Sequence, residues 1–436
     1  MSATVAVRPR AEVRAMRSSL GAIYAAALVF WLVTRLLVLV HQGAWPWMNA
    51  FVVAAAHGIL VGDWNDAVRP QLPAVLGVPV VLAGASEQQT VAVLYVIASL
   101  VQFVAFVVVL RALFPSRIQE QTLALAVFLL LPFNHSIHHY RDMPVVLASA
   151  AIFLLGADVV RTFRDGAPTL TPTGSTFWSN ARSVAALVAV MLLGVWSRIE
   201  VLAFVGVLAL GLLLVYRRAA VRLAVAYLAA AFLVTATLLV MYKVEDVDLG
   251  QAWFYTAHTF LDSTPDSWLT PECRAAPTEN CREADGLSYF GPANLRDGVF
   301  ALAMNHPLTT LAKSARSAWD NAWILVGPNL STFPLVVPFL VVVVAVLPEV
   351  RAAYRMVPKV GWVVLVAIMA ESVLPPLTWA PPHPQYHVAL VLPIVVLLVP
   401  TLFALLRMSR ARWLALGFLV VNAGLSAFRY SRYPGY

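Results

Sequence analysis

The feature that most constrains this chain is a series of apolar runs that recurs from about residue 20 to residue 428. Crossing the hydrocarbon core of a bilayer takes roughly 20 residues of helix, and several of these runs reach that length. The chain is 61% hydrophobic and only 12% charged, with a mean hydropathy of +0.79, whereas soluble domains carry about 25% charged residues. The pattern excludes an ordinary soluble protein and predicts an all-α polytopic membrane protein.

The apolar runs predict about eleven transmembrane helices and no separate soluble domain. We place these helices at about residues 20–41, 88–113, 119–134, 143–162, 183–198, 199–216, 221–242, 332–347, 360–377, 387–406 and 412–428. Because no long hydrophilic stretch stands at either terminus, residues 1–436 are predicted to form one membrane-embedded domain.

The distribution of charge predicts the orientation, because Lys and Arg concentrate in cytoplasmic loops. With the N terminus inside, every predicted cytoplasmic segment is basic, and most of the 22 acidic residues and all nine histidines fall on or near the outer side. We therefore expect a multi-pass plasma-membrane protein with a cytoplasmic N terminus and an extracytoplasmic C terminus and active face. The net charge of +8 is interpreted as a topology signal and an attraction to anionic lipid, not as a nucleic-acid surface.

The first predicted outer loop, residues 42–87, is apolar enough to lie against a bilayer, yet it is dense in polar groups. Asn49, Asp63, Asp66 and Arg69 lie within it, and Pro70 and other prolines leave its second half too short to span the membrane. We predict helices in the outer interface that direct these polar groups toward a cavity.

Two short outer turns place ionisable residues at membrane depth. Arg141 and Asp142 begin the fourth predicted span, and Arg198 and Glu200 lie between two spans with almost no loop. Ionisable residues at such depth are functional candidates. The alternative interpretation is that these residues pair locally, cap a helix, or extend toward the headgroups.

The largest predicted exported segment, residues 243–331, contains both cysteines of the chain, Cys273 and Cys281. In an oxidising compartment such a pair predicts a disulfide that closes a small loop. A zinc site is the weaker alternative, because no histidine stands nearby at metal-ligand spacing. The turn with His135, His138 and His139 leaves metal binding open, so no cofactor is assigned and the need for a divalent cation is undecided.

The order of these features resembles the C-superfamily (GT-C) glycosyltransferases, polytopic enzymes that take a sugar from a polyprenyl-phosphate carrier. The stretches that are similar to the aminoarabinose and protein-mannosyl transferase families are AAAHGILVGDW with RPQLPAVL, YRDMPVVLASAAIFLL, SRIEVLAFVGVLALGLLL and HPQYHVALVLP. The resemblance implies a GT-C-like fold, a lipid-linked sugar donor, and a glycan, lipid or protein acceptor.

The resemblance also implies roles for the polar residues of these stretches. A carboxylate would take the proton of the acceptor hydroxyl, and the candidates are Asp63, Asp66 and Asp142. The residues expected to contact the substrates are Asn49, Arg69, Arg141, Arg198, Glu200, His383, Tyr386 and His387. In one respect the chain departs from those families, since Trp47 and Met48 stand where an acidic pair is usual early in the first loop.

Two other classes of function compete with an inverting glycosyltransferase. One is a transporter or flippase of lipid-linked glycans, and the other is a catalytically inactive membrane partner on the same scaffold. Transport predicts ionisable residues inside several spans and internal repeats. The span interiors are nearly free of charge apart from Arg35 and Glu371, which favours the enzyme.

Overall fold

The structure is a computed structural model, and it is helical. It describes residues 10–42, 46–61, 71–114, 117–130, 201–217, 336–357, 359–378 and 391–432, together with most of 257–326 and parts of 221–236. Every regular element in this part of the chain is an α-helix or a short 3₁₀ turn. The predicted all-α class is confirmed.

The first group of helices along the chain is α1 (Arg10–Gln42), α2 (Pro46–Val61), α3 (Gln71–Leu82), α4 (Glu87–Leu113), α5 (Ile118–Leu130) and α6 (Val201–Tyr216). The second group is α7 (Pro271–Ala275), α8 (Glu279–Phe290), α9 (Gly298–Asn305) and α10 (Pro307–Val326). The last group is α11 (Val336–Val346), α12 (Pro348–Ala353), α13 (Lys359–Thr378), α14 (Val391–Arg407) and α15 (Arg412–Arg432). Helices α1, α4, α5, α6, α11, α13, α14 and α15 coincide with predicted spans, and the other helices lie outside them.

Within the part of the chain that the structure describes, two helices are long and apolar enough to cross a membrane. They are Leu20–Val40 within α1, with a mean hydropathy of 2.3, and Glu87–Arg111 within α4, with a mean hydropathy of 2.7. Shorter apolar helices are Ile118–Leu130, Phe204–Val215, Gly361–Ala370, Ile394–Arg407 and Arg412–Phe428. The two long helices coincide with predicted spans and favour membrane association. The predicted spans at 143–162 and 183–198 lie outside the described residues.

Helix α1 has two different faces, and both are largely apolar. One face is buried and consists of Ala27, Trp31, Arg35 and Val38, while the opposite face exposes Val29, Val33, Leu36, Leu37 and Val40. The buried positions recur every three or four residues, as expected for one side of a helix. An apolar exposed side of this length is a feature of a surface that contacts lipid or another protein.

The main core joins helices from the two ends of the chain. Phe106 of α4 stacks on Phe128 of α5, with 4.2 Å between the ring centroids, and Trp31 of α1 lies 4.8 Å from the same ring. Helix α14 is central, because it packs against α5, α11, α12 and α15. The hydroxyl of Ser426 in α15 donates to the carbonyl oxygen of Leu130 at 2.6 Å, which links α15 to the end of α5.

Helix α13 is the link between this core and the region predicted to be exported. It packs extensively on α6, where a Cβ built on Gly211 would lie 2.7 Å from Cγ1 of Val363. The absence of a side chain at Gly211 is therefore what lets the two helices approach so closely. Helix α10 packs against α13 as well.

The segment 243–331, which is predicted to be exported and to form a loop, contains more regular structure than its sequence indicates. Helices α7 to α10 lie within it, and a disulfide joins Cys273 to Cys281 with 5.8 Å between the Cα atoms. Its small core is formed by Phe260, Leu261, Phe290, Val299 and Leu302. The disulfide holds α7 beside α8 at the edge of this core.

Candidate functional site

Most of the predicted catalytic and substrate-binding residues lie outside the part of the chain that the structure describes. These are Asp63, Asp66, Arg69, Arg141, Asp142, Arg198, Glu200, His383, Tyr386 and His387. Asn49 lies in the first turn of α2. The roles of all these residues stay predictions, and the structure contributes the helices that flank the first-loop candidates.

The helices on either side of the first-loop aspartates are packed on each other and on α4. A Cβ built on Gly77 of α3 would lie 3.5 Å from Cβ of Ala56 in α2, 3.5 Å from Cδ1 of Leu94 and 3.7 Å from Cγ2 of Thr90 in α4. Three helices therefore meet at Gly77. The start of α4 is fixed by a capping box, in which Ser86 and Gln89 exchange hydrogen bonds of 3.3 and 2.9 Å.

Helices α2 and α3 precede and follow Asp63, Asp66 and Arg69 in the chain. Helix α2 ends at Val61, five residues after Ala56, and α3 begins at Gln71, six residues before Gly77. At 1.5 Å of rise per residue, both helix ends are within about 10 Å, along the helix axis, of the contact between Ala56 and Gly77.

The described part of the chain contains one functional candidate that the sequence analysis does not assign to a site, Arg35 of α1. Its side chain is only 6% exposed, and Nη1 donates to the hydroxyl oxygen of Tyr95 at 3.0 Å. The guanidinium carbon lies 4.0 Å from the centroid of the Trp31 ring, and the Trp31 indole N–H donates to the Ser99 carbonyl oxygen at 2.9 Å. The Nε atom of Arg35 is buried and has no hydrogen-bond acceptor among the described residues.

Arg35 and the α2–α3 pair contact the same turns of α4. Tyr95, which accepts from Arg35, is the next residue after Leu94, which contacts Gly77. Seven residues separate Arg35 from the end of α1, which is roughly 10 Å along the helix. Arg35 and Gly77 of α3 therefore contact neighbouring residues of α4, Tyr95 and Leu94.

The buried guanidinium of Arg35 is suited to binding an anion. A guanidinium has five N–H donors in a planar fork that matches phosphate and carboxylate oxygens. Two neighbours of Arg35, Tyr95 and Trp31, contribute one neutral acceptor and an aromatic face, so the charge has no carboxylate partner among the described residues. The signal in the sequence is a lone arginine within an apolar run, which marks a functional site by default.

Several ionisable residues of the segment 243–331 make polar contacts within it. Arg282 pairs with Asp266 at 2.9 Å and donates to the carbonyl oxygen of Thr264 at 3.0 Å. His258 pairs with Glu283, and Asp285 accepts from the backbone N–H of Thr270 at 2.7 Å. These contacts explain the carboxylates as stabilising groups of the segment.

No metal centre is found in the described part of the chain, where no three His, Cys, Asp or Glu residues are grouped. The turn with His135, His138 and His139 lies outside that part. The need for a divalent cation is therefore undecided by the described residues, as it is by the sequence.

Lys313 of α10 is a cation buried inside the exported segment. It is 1% exposed, and Nζ lies 3.9 Å from the centroid of the Phe260 ring. Burial penalises the charged form and lowers the pKa of Lys313 from 10.5 to about 7.

The lowered pKa predicts how stability depends on pH. Between pH 7 and 10.5 the unfolded chain holds a proton on Lys313 that the folded chain has released, so the free energy of unfolding should rise with pH across this window. Lys313→Met should flatten the rise and stabilise the segment at neutral pH. Thermal midpoints of purified protein across the window measure the effect, and the exposed Lys359 replaced by Met is the control. A rise that persists unchanged in Lys313→Met would contradict the assignment.

No protein-family model matches this chain, and no curated protein of known function matches it either. A function for this chain is therefore inferred from its own residues and their geometry.

Proposed function

We propose that this chain is a GT-C-like membrane glycosyltransferase, one membrane-embedded domain of about eleven transmembrane helices. It transfers a sugar from a polyprenyl-phosphate donor to a glycan, lipid or protein acceptor at the extracytoplasmic face of the plasma membrane. The observation that supports this most is the buried Arg35, whose Nε has no acceptor among the described residues. Arg35 bonds to Tyr95 of α4, the residue next to Leu94, which contacts Gly77 in the first-loop helix α3.

In the proposed reaction, a carboxylate of Asp63, Asp66 or Asp142 takes the proton of the acceptor hydroxyl. The acceptor oxygen then forms a bond to the anomeric carbon, and the bond from that carbon to the phosphate oxygen breaks with inversion. The leaving group is the polyprenyl phosphate, which keeps the electron pair. Arginines suit this anion because they remain charged and bind phosphate in a bidentate way, and Arg35 joins Arg69, Arg141 and Arg198 in this role.

Transport is the second candidate function, and the composition of the two long apolar helices, α1 and α4, does not favour it. Residues 20–40 of α1 and 88–110 of α4 contain a single charged side chain, that of Arg35. A path for a charged cargo would need ionisable groups on several helices. One buried arginine near a helix end fits a fixed phosphate site better than a translocation path.

Binding of the donor lipid tests the proposed phosphate site. In lipid nanodiscs, polyprenyl phosphate should raise the thermal midpoint of the protein, whereas a polyprenol of the same length should not. At a ligand concentration 100 times Kd the stabilisation is about 2.7 kcal/mol. Equal effects of the two lipids would mean that the protein does not recognise the phosphate.

The orientation is tested by labelling of single introduced cysteines in intact cells. Thr173 is predicted to be cytoplasmic and Ala284, which is exposed on α8, extracytoplasmic. The native pair can stay in place, because Cys273 and Cys281 form a disulfide and the chain has no third cysteine. An impermeant maleimide should label Ala284→Cys and not Thr173→Cys, and labelling at position 173 would overturn the topology.

A further inference from the structure

Helix α10 exposes an apolar face to its surroundings. Leu308, Leu311, Ala315 and Trp319 are exposed and recur every three or four residues, so they share one side of the helix. Leu308 is 80% exposed, and Met304 at the end of the preceding α9 is 81% exposed. Side chains of this size are not left in water along about three helical turns without a cause.

The opposite face of α10 is polar and buried. Lys313 and Ser317 are nearly inaccessible, and the hydroxyl oxygen of Thr310 is buried as well. These three positions also recur at helical spacing, on the side away from Leu308 and Leu311. A surface helix of a soluble protein buries its apolar face and exposes its polar face, so α10 has the reverse arrangement.

This reversal is what a lipid environment demands of a helix. Apolar side chains contact the acyl chains, and polar groups turn inward to the protein. Trp319 is on the apolar side and Arg316 is exposed next to it, and these two residue types favour the headgroup level of a membrane. Helix α10 also packs against α13, an apolar helix that itself exposes Val366 and Met369.

We propose that the apolar face of α10 lies in the outer leaflet of the bilayer and holds the exported segment on the membrane surface. The partner is a phospholipid bilayer with anionic headgroups, because the cationic Arg316 borders the apolar face. A second copy of the chain would place two such arginines near the same contact. The inference rests on the membrane placement that is part of the proposed function.

Photocrosslinking to lipid tests this contact without altering the disulfide. Benzoylphenylalanine is introduced separately at Leu308 and Leu311, at Val33 on the exposed face of α1, and at Ala284 on the exported α8. Each protein is reconstituted in vesicles that contain alkyne-tagged phosphatidylglycerol and phosphatidylcholine, and irradiated. Val33, which is exposed on an apolar helix, is the reference for lipid contact, and Ala284, which is exposed among polar residues, is the reference for background.

Positions 308 and 311 should give lipid adducts at least about 10-fold above position 284 and comparable to position 33. The yield should rise with the share of phosphatidylglycerol. Background yield at 308 and 311 with strong yield at 33 would overturn the inference and leave the membrane placement standing. Background yield at all four positions would overturn the membrane placement and the inference together. An adduct of twice the chain mass at 311, in place of lipid, would make the face a contact between two copies and also overturn the inference.

Discussion

If the proposed glycosyl transfer is right, asparagine in place of the proposed catalytic aspartate is expected to lower sugar transfer by about 10² to 10⁴-fold, the usual contribution of a general base. The candidates are Asp63, Asp66 and Asp142, replaced one at a time. Because the amide keeps the shape of the side chain and loses only the proton acceptor, donor binding should remain nearly unchanged. The rate falls because the acceptor oxygen must attack the anomeric carbon while it still carries its proton.

Asp297→Asn is the matched control for these variants. Asp297 is an exposed carboxylate in the 3₁₀ turn Leu295–Asp297 of the exported segment, and its replacement should leave transfer unchanged. Turnover is measured in proteoliposomes with a polyprenyl-phosphate sugar donor. Full turnover in all three candidate variants would mean that the resemblance assigns the chemistry to the wrong residues.

Arg35→Ala is expected to weaken binding of polyprenyl phosphate by about 10- to 100-fold. The estimate follows from the 1.5 to 3 kcal/mol that a hydrogen bond to a charged group contributes, since each 1.4 kcal/mol is a factor of ten in Kd. Arg35→Lys should restore part of the affinity, because the ammonium keeps the charge and loses the planar fork. Binding of the uncharged polyprenol should not change in either variant.

The control for this experiment is Arg111→Ala. Arg111 is exposed in the last turn of α4, on the same helix as Tyr95 and about four turns away from it. Tyr95→Phe separates anchoring from charge, because it removes the hydroxyl that accepts from Nη1 of Arg35. An unchanged Kd for polyprenyl phosphate in folded Arg35→Ala protein would exclude Arg35 from the phosphate site.

The sequence alone predicts the helices whose hydrophobic pattern is continuous. Helix α1 and helix α4 follow from apolar runs that contain almost no charge, because such a pattern has only one stable form in lipid. The helices of the first loop are also predicted, and Pro70 stands directly before the start of α3. Here local composition is sufficient to predict the structure.

The burial of Arg35 and the buried polar side of α10 could not be predicted from the sequence. Arg35 bonds to Tyr95, and its neighbour Trp31 bonds to Ser99. These hydrogen bonds join residues sixty or more positions apart, and such contacts have no local signature in the sequence. Helix α10 has an ordinary amphipathic pattern, so only the packed structure shows that its polar side is the buried one. The segment 243–331 was consequently predicted as a loop although α7 to α10 lie within it.

The most direct test of the proposed activity is transfer by the purified wild-type chain in proteoliposomes. Vesicles receive a radiolabelled sugar on polyprenyl phosphate, or the same sugar on a nucleotide, together with a crude extract of envelope acceptors. A glycosyltransferase should move label to the acceptor from the lipid-linked donor alone, and it should release polyprenyl phosphate in equal amount. Label that crosses the bilayer on its intact carrier, with no transfer to an acceptor, would identify a flippase and contradict the proposed glycosyl transfer.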